Sequence, residues 1–314
     1  MGSKDLISAT IPRWRHVRLS NIILLVAWLA YVFITVTTPM RRNPYHISHG
    51  TEILIQASIF ILIGIIWYVA LGGASAFKNY SSMVSDAKEA PGLNNIANGL
   101  LWAATYLVAV ALAGSIVQYF ATSSFSDTLS ILRDHLTALV VLVAFVYLYI
   151  GSQQLAYVAK FDTWNRNTMI IVAIYMIFAI AFVIAFTHAS VPPPGSTRNS
   201  LSILPHRLLL FTLILPYLIS WFLGILACVN ISRYAKRVKG ILYRRALVNL
   251  VRGIITVIAF GIILQLLTFS VRFLTGLSLN SILLIIYAII ILYGLGFWFI
   301  RSGAKMLARI EVVQ

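Results

Sequence analysis

Eight stretches of about twenty apolar residues divide the chain, and they decide what solvent it folds in. They run roughly over 20–38, 53–75, 97–121, 136–158, 168–188, 208–230, 250–272 and 280–300. A helix rises about 1.5 Å per residue, so each stretch is long enough to cross a hydrocarbon layer about 30 Å thick. Only 10% of the residues are charged, where a soluble domain carries about a quarter. The mean hydropathy of +0.91 points the same way. A spanning segment must satisfy its own backbone, and helices do so without neighbours. The expected fold is therefore an all-α polytopic membrane protein with eight transmembrane helices.

Lys and Arg orient the spans. With a cytoplasmic N-terminus, the basic N-terminal segment, three loops and the C-terminus hold 18 of the 24 basic residues. The opposite face holds Arg41, Arg42, Arg133, Arg198, Arg207 and Arg272, and no Lys. This positive-inside bias places both termini in the cytoplasm of a cell (inner) membrane. The first span follows "RWRHVR" but is too long for a signal-peptide core, and no A-x-A pattern follows it, so an uncleaved span is expected.

The chain also resembles itself. At an offset of 154, Trp67 falls on Trp221, Tyr80 on Tyr234, Asn95 on Asn249 and Gly99 on Gly253. Ile65, Val84 and Leu93 also meet identical residues at that offset. A shorter offset of 145 brings "GSQQLAYVAK" over "GFWFIRSGAK", with Gly151 on Gly296 and Lys160 on Lys305. The expectation is two tandem four-helix halves, 1–163 and 164–314. An even number of spans per half makes the repeats parallel rather than inverted.

Several chemistries are excluded by what is missing. The eight acids, Asp5, Glu52, Asp86, Glu89, Asp127, Asp134, Asp162 and Glu311, all fall in loops, tails or span ends. An intramembrane aspartyl protease or a carboxylate-coupled ion path needs acids at depth. There is no zinc-protease helix, no nucleophile elbow and no P-loop. A single cysteine, Cys228, cannot form an intrachain disulfide. No enzyme activity, cofactor or resident metal is expected.

The remaining polar groups supply weaker candidates. Gln56, Gln153, Gln154 and Gln265, with Pro216, are the residues of a substrate pathway if there is one; the competing reading is interhelical hydrogen bonding and packing. His46, His49 and His135 lie on the outer face, where imidazole and carboxylate could meet a transition metal or sense pH. The residues shared between the halves, Trp67, Tyr80, Asn95, Gly99, Trp221, Tyr234, Asn249 and Gly253, read as a structural hinge.

One basic stretch stands apart: "ISRYAKRVKGILYRRALVNLVRGI", residues 231–254. Arg233, Lys236, Arg237, Lys239, Arg244 and Arg245 face neutral residues in the other half at the same offset. Tyr234, Val238, Ile241 and Leu242 recur at helical spacing, which predicts a short amphipathic helix on the inner membrane surface. Anionic head groups are its expected partners, at about 1 kcal/mol per cation; an acidic cytosolic or membrane protein is the alternative. No stacking platform accompanies the charge, so nucleic acid is not expected.

No motif is specific enough to suggest a family. Two functional classes follow. One is a permease or channel-like component for a small or apolar solute, without its own ATPase. The other is a membrane sensor or scaffold with an outer His-containing face and a basic cytoplasmic face.

Overall fold

The computed structural model describes residues 48–84, 89–120, 123–157, 203–238, 240–269 and 279–310, with scattered helical positions between Ile22 and Phe33. Six helices are complete in it: α1 (His49–Met83), α2 (Glu89–Phe120), α3 (Ser123–Tyr157), α4 (Ile203–Arg237), α5 (Ile241–Phe269) and α6 (Leu279–Ile310). Five of them, α1, α3, α4, α5 and α6, contain described segments long and apolar enough to span a membrane. The chain is a helical membrane protein among its described residues. Of the eight expected spans, 168–188 lies outside the described residues and 20–38 is described only in part.

The helices run past the apolar stretches. α1 has 35 residues, about 50 Å at the usual rise, well beyond a hydrocarbon core. Hydropathy marks only the part of a helix that meets lipid, whereas backbone hydrogen bonding continues into the interface. Local chemistry then sets the ends. Ser48 caps α1, its hydroxyl accepting from the Thr51 amide. At the far end the Val84 amide donates to the Tyr80 carbonyl. α2 opens on Glu89, an acid in the first turn where the helix dipole favours it. Pro91 falls in that same turn, where its missing N–H costs nothing. Lys236 and Arg237 close α4 with charges that suit its carbonyl end.

The basic stretch is therefore not a helix lying on the membrane surface. It is the last turns of α4 and the first turns of α5, with Val238 and Gly240 outside both helices. The Arg244 amide donates to the Gly240 carbonyl as α5 starts. Tyr234 and Val238 face the core, while Ile241 and Leu242 are exposed. A helical spacing across 234–242 was present, but the break at Gly240 divides it between two helices.

Each helix packs on its sequence neighbour, and α6 returns to pack on α1, so the six form a closed ring. α1–α2, α2–α3, α4–α5 and α5–α6 are antiparallel neighbours. The α3–α4 and α6–α1 seams are parallel, because α1, α3, α4 and α6 all end on the same side. That side carries Lys78, Arg233, Lys236, Arg237, Arg244, Arg245, Lys305 and Arg309, and is called the basic end below. Outside the ring, exposed apolar residues recur at helical spacing: Ile61, Ile65 and Tyr68 on α1, Leu218, Phe222, Ile225 and Val229 on α4, and Leu284, Ile291, Leu295 and Trp298 on α6. Such stripes suit hydrocarbon. Trp28, from the partly described first apolar stretch, lies edge-on to Phe60 and against Gly64.

The antiparallel seams are close because glycines line them. A Cβ on Gly99 of α2 would come 2.7 Å from the Ala144 carbonyl and 2.8 Å from Leu148 of α3. A Cβ on Gly253 of α5 would come 2.6 Å from the Gly296 carbonyl and 2.5 Å from Ile300 of α6. Without a hydrophobic drive between helices in lipid, such contact surfaces supply much of the association energy.

Candidate functional site

The basic end of the ring gathers the polar side chains that the apolar core admits. Tyr234 on α4 donates its hydroxyl hydrogen to Oε1 of Glu89 on α2. Tyr243 on α5 meets Tyr234 edge-on, with ring centroids 6.2 Å apart. Its other side faces Tyr80 on α1, at 5.8 Å. Four helices thus contribute one residue each to a cluster at the ring's centre. The Tyr243 hydroxyl is buried and meets no hydrogen-bond partner among the described residues.

Immediately beyond the cluster, the centre is apolar and filled. Phe77, Leu93, Ile96, Ala97, Ile231, Leu247 and Leu250 are each 0% exposed. They come from α1, α2, α4 and α5, so the core runs between the two sides of the ring.

Polar contacts tie the seams. Asn95 Nδ2 donates to Gln154 Oε1 across α2–α3, at 2.8 Å. Asn249 Nδ2 approaches the Met306 sulfur across α5–α6, at 3.9 Å. Asn230 donates to the Ser152 hydroxyl across α3–α4, at 3.3 Å, with both side chains buried. Ser58 and Tyr287 share a hydrogen bond across α1–α6.

The residues singled out from sequence fall in several places. Gln154 is in the seam just described, and Gln153 is half-buried beside it, both near the basic end. Gln56 is buried toward the other end of α1, and Pro216 is buried within α4. α4 stays helical through Pro216, whose carbonyl accepts from the Ser220 hydroxyl. Gln265 sits near the far end of α5, its side chain outside the described residues. These five are not brought together into one path. His49 is in the first turn of α1 and exposed. His46 is outside the described residues, and His135 lies in α3 with its side chain undescribed. Arg233, Lys236, Arg237, Arg244 and Arg245 are exposed around the basic end, and Arg237 also donates to the Ala156 carbonyl, at 3.4 Å. Lys239 is outside the described residues.

The eight residues read as a hinge all lie within helices, mostly in their contact surfaces. Trp67 and Tyr234 are buried, Asn95 and Asn249 tie seams, and Gly99 and Gly253 permit close approach. Sequence reasoning missed Tyr243 and the placement of Glu89. A signal was available: at the offset of 154 that pairs Tyr80 with Tyr234, Glu89 pairs with Tyr243.

Comparison with protein-family models, curated proteins and solved structures returns no match.

Proposed function

We propose that this chain is a non-enzymatic membrane scaffold of the sensor type, whose basic end docks on anionic head groups or on an acidic partner protein. The observation that carries this reading is the filled centre of the ring. A permease would need a wetted path between the two sides. Across the basic half, seven fully buried side chains from α1, α2, α4 and α5 fill the space between these described helices, which favours the scaffold reading. The exposed cations on α4 and α5 cluster at one end of the ring and suit a negative surface.

The reading includes two tandem copies of one helical unit, and equivalent contacts support it. Gly99 against Ala144 and Leu148 matches Gly253 against Gly296 and Ile300. Asn95 to Gln154 matches Asn249 to Met306. Tyr80 beside Tyr243 matches Tyr234 bonded to Glu89. These contacts favour an offset of 152 from α3 to α6, not 145. At 152, Phe145 meets Phe297, Gly151 meets Gly303, Leu155 meets Leu307 and Ala156 meets Ala308. The central cluster then sits on a pseudo-twofold axis along the membrane normal, with eight spans in all.

Two experiments test the proposal. In proteoliposomes, stopped-flow swelling with glycerol or urea should match protein-free vesicles; a clear acceleration would restore the permease reading. In micelles, adding phosphatidylglycerol should raise the melting point more than adding phosphatidylcholine does. Changing Arg233, Lys236, Arg237, Arg244 and Arg245 together to Gln should remove most of that difference; an unchanged difference refutes docking through these cations.

The cytoplasmic placement of the basic end follows from the charge bias and has its own test. In a Cys228→Ala background, cysteines at Ser85 and Ser200 should label from opposite sides of the membrane. Labelling of both from one side refutes the eight-span topology.

A further inference from the structure

The parallel seam between α6 and α1 holds a cation of a different kind from those on α4 and α5. The Arg301 guanidinium carbon lies 5.2 Å from the centre of the Tyr68 ring. Its Nε and Cζ cross Gly72, where a Cβ would stand 3.3 and 3.5 Å from them. Any larger residue at that position would meet the guanidinium. Among the described residues, Arg301 has no ion pair and no hydrogen bond; it sits over the ring of Tyr68. Its five donors lie at the seam between α6 and α1, unused among the described residues.

The surroundings say what could use them. Tyr68 is 49% exposed and Trp298 55% exposed, on the outer face of the ring with Leu295. Exposed Tyr and Trp at this level are the side chains that favour the boundary between hydrocarbon and head groups. Lys305 is exposed one turn further toward the basic end and on the same face of α6 as Arg301. The groove is therefore open to lipid, apolar above and doubly cationic below. A guanidinium fork matches a phosphate diester bidentately, and basic grooves between spanning helices bind anionic head groups.

We propose that Arg301, seated on Tyr68 and Gly72 and assisted by Lys305, binds the phosphate of one anionic phospholipid at the α1–α6 seam. The stoichiometry is one per chain. At the offset of 152, Tyr149 and Gln153 take the places of Arg301 and Lys305 at the α3–α4 seam, and neither carries a cation. This site is separate from the cations of α4 and α5.

Native mass spectrometry of the delipidated full chain, titrated with phosphatidylglycerol or phosphatidylcholine, tests it. The expected result is one phosphatidylglycerol retained at activation energies that strip phosphatidylcholine. Arg301→Gln should weaken that retention by about fivefold or more, and Arg301→Lys should restore part of it. Lys305→Gln and Tyr68→Leu, at exposed positions, should weaken it by smaller factors and remain informative if Arg301→Gln is poorly folded. The variant lacking the five α4 and α5 cations should still retain the lipid, so failure of surface docking is distinguishable from failure here. Equal retention of the two lipids, or retention untouched by Arg301→Gln, Lys305→Gln and Tyr68→Leu alike, overturns the site.

Discussion

Gly253→Ala destabilises the ring by about 1–3 kcal/mol, and Gly253→Leu yields no monodisperse protein, when each is purified in the same detergent and its unfolding followed. The added Cβ would stand 2.6 Å from the Gly296 carbonyl oxygen and 2.5 Å from Ile300 Cγ1. The first is backbone, so α5 and α6 must separate, and packing is lost along the whole seam. Alanine's better helix propensity returns about 0.5–1 kcal/mol, which does not offset this. Gly99→Ala should behave alike, since its Cβ would meet the Ala144 carbonyl at 2.7 Å. Gly50→Ala is the control: nothing lies within 4 Å of its Cβ position, and stability should hold or rise slightly. A Gly253→Ala protein as stable as the parent would contradict the close seam.

Phe297→Ala is expected to cost about 3–5 kcal/mol, the usual range for emptying a fully buried aromatic site. Phe297 is 1% exposed and packs edge-on to Tyr293, with centroids 5.3 Å apart. Its surroundings come from helices fixed by glycine seams, which leaves little freedom to close the cavity. Phe222→Ala is the matched comparison. That side chain is 62% exposed on the lipid face, and lipid chains fill the vacated space. Urea or thermal unfolding in micelles should separate the two by at least about 2 kcal/mol. Equal losses would mean that burial inside the ring adds nothing beyond contact with detergent.

What could be read from the sequence follows from what hydropathy and identity report. The apolar stretches identified the α1 and α6 helices because their lipid-facing residues are apolar all along the middle. The stretches could not report that α1 runs on to Met83 or that α5 starts at Ile241, because interfacial turns tolerate polar residues. The basic run looked like a surface helix because cations dominate its composition; the residue that decides its shape is Gly240. Identity at an offset of 154 picked out seam residues such as Gly99 and Gly253, since contact geometry restricts them most. The register of α3 on α6 was harder to read. Offsets of 145 and 152 differ by seven residues, two helical turns, and so preserve which face each residue occupies. Only the partner across the seam, Ala144 for Gly99 and Gly296 for Gly253, separates them. Glu89 looked like a loop acid because its partner Tyr234 is 145 residues away in the chain.

The closure of the ring through α6 and α1 bears on how the protein is made. α1 leaves the ribosome before the other five helices of the ring, with α2 beside it soon after, but its other flank stays open to lipid. The partner for that flank is translated more than two hundred residues later; Ser58 and Tyr287 are 229 positions apart. At about 5–20 residues per second, the wait is on the order of ten to forty seconds. For that time Gly72 and Gly73 face lipid or a chaperone of the membrane. The seam that closes last joins α1 to α6, so vectorial synthesis leaves a half-ring exposed until α6 has been made.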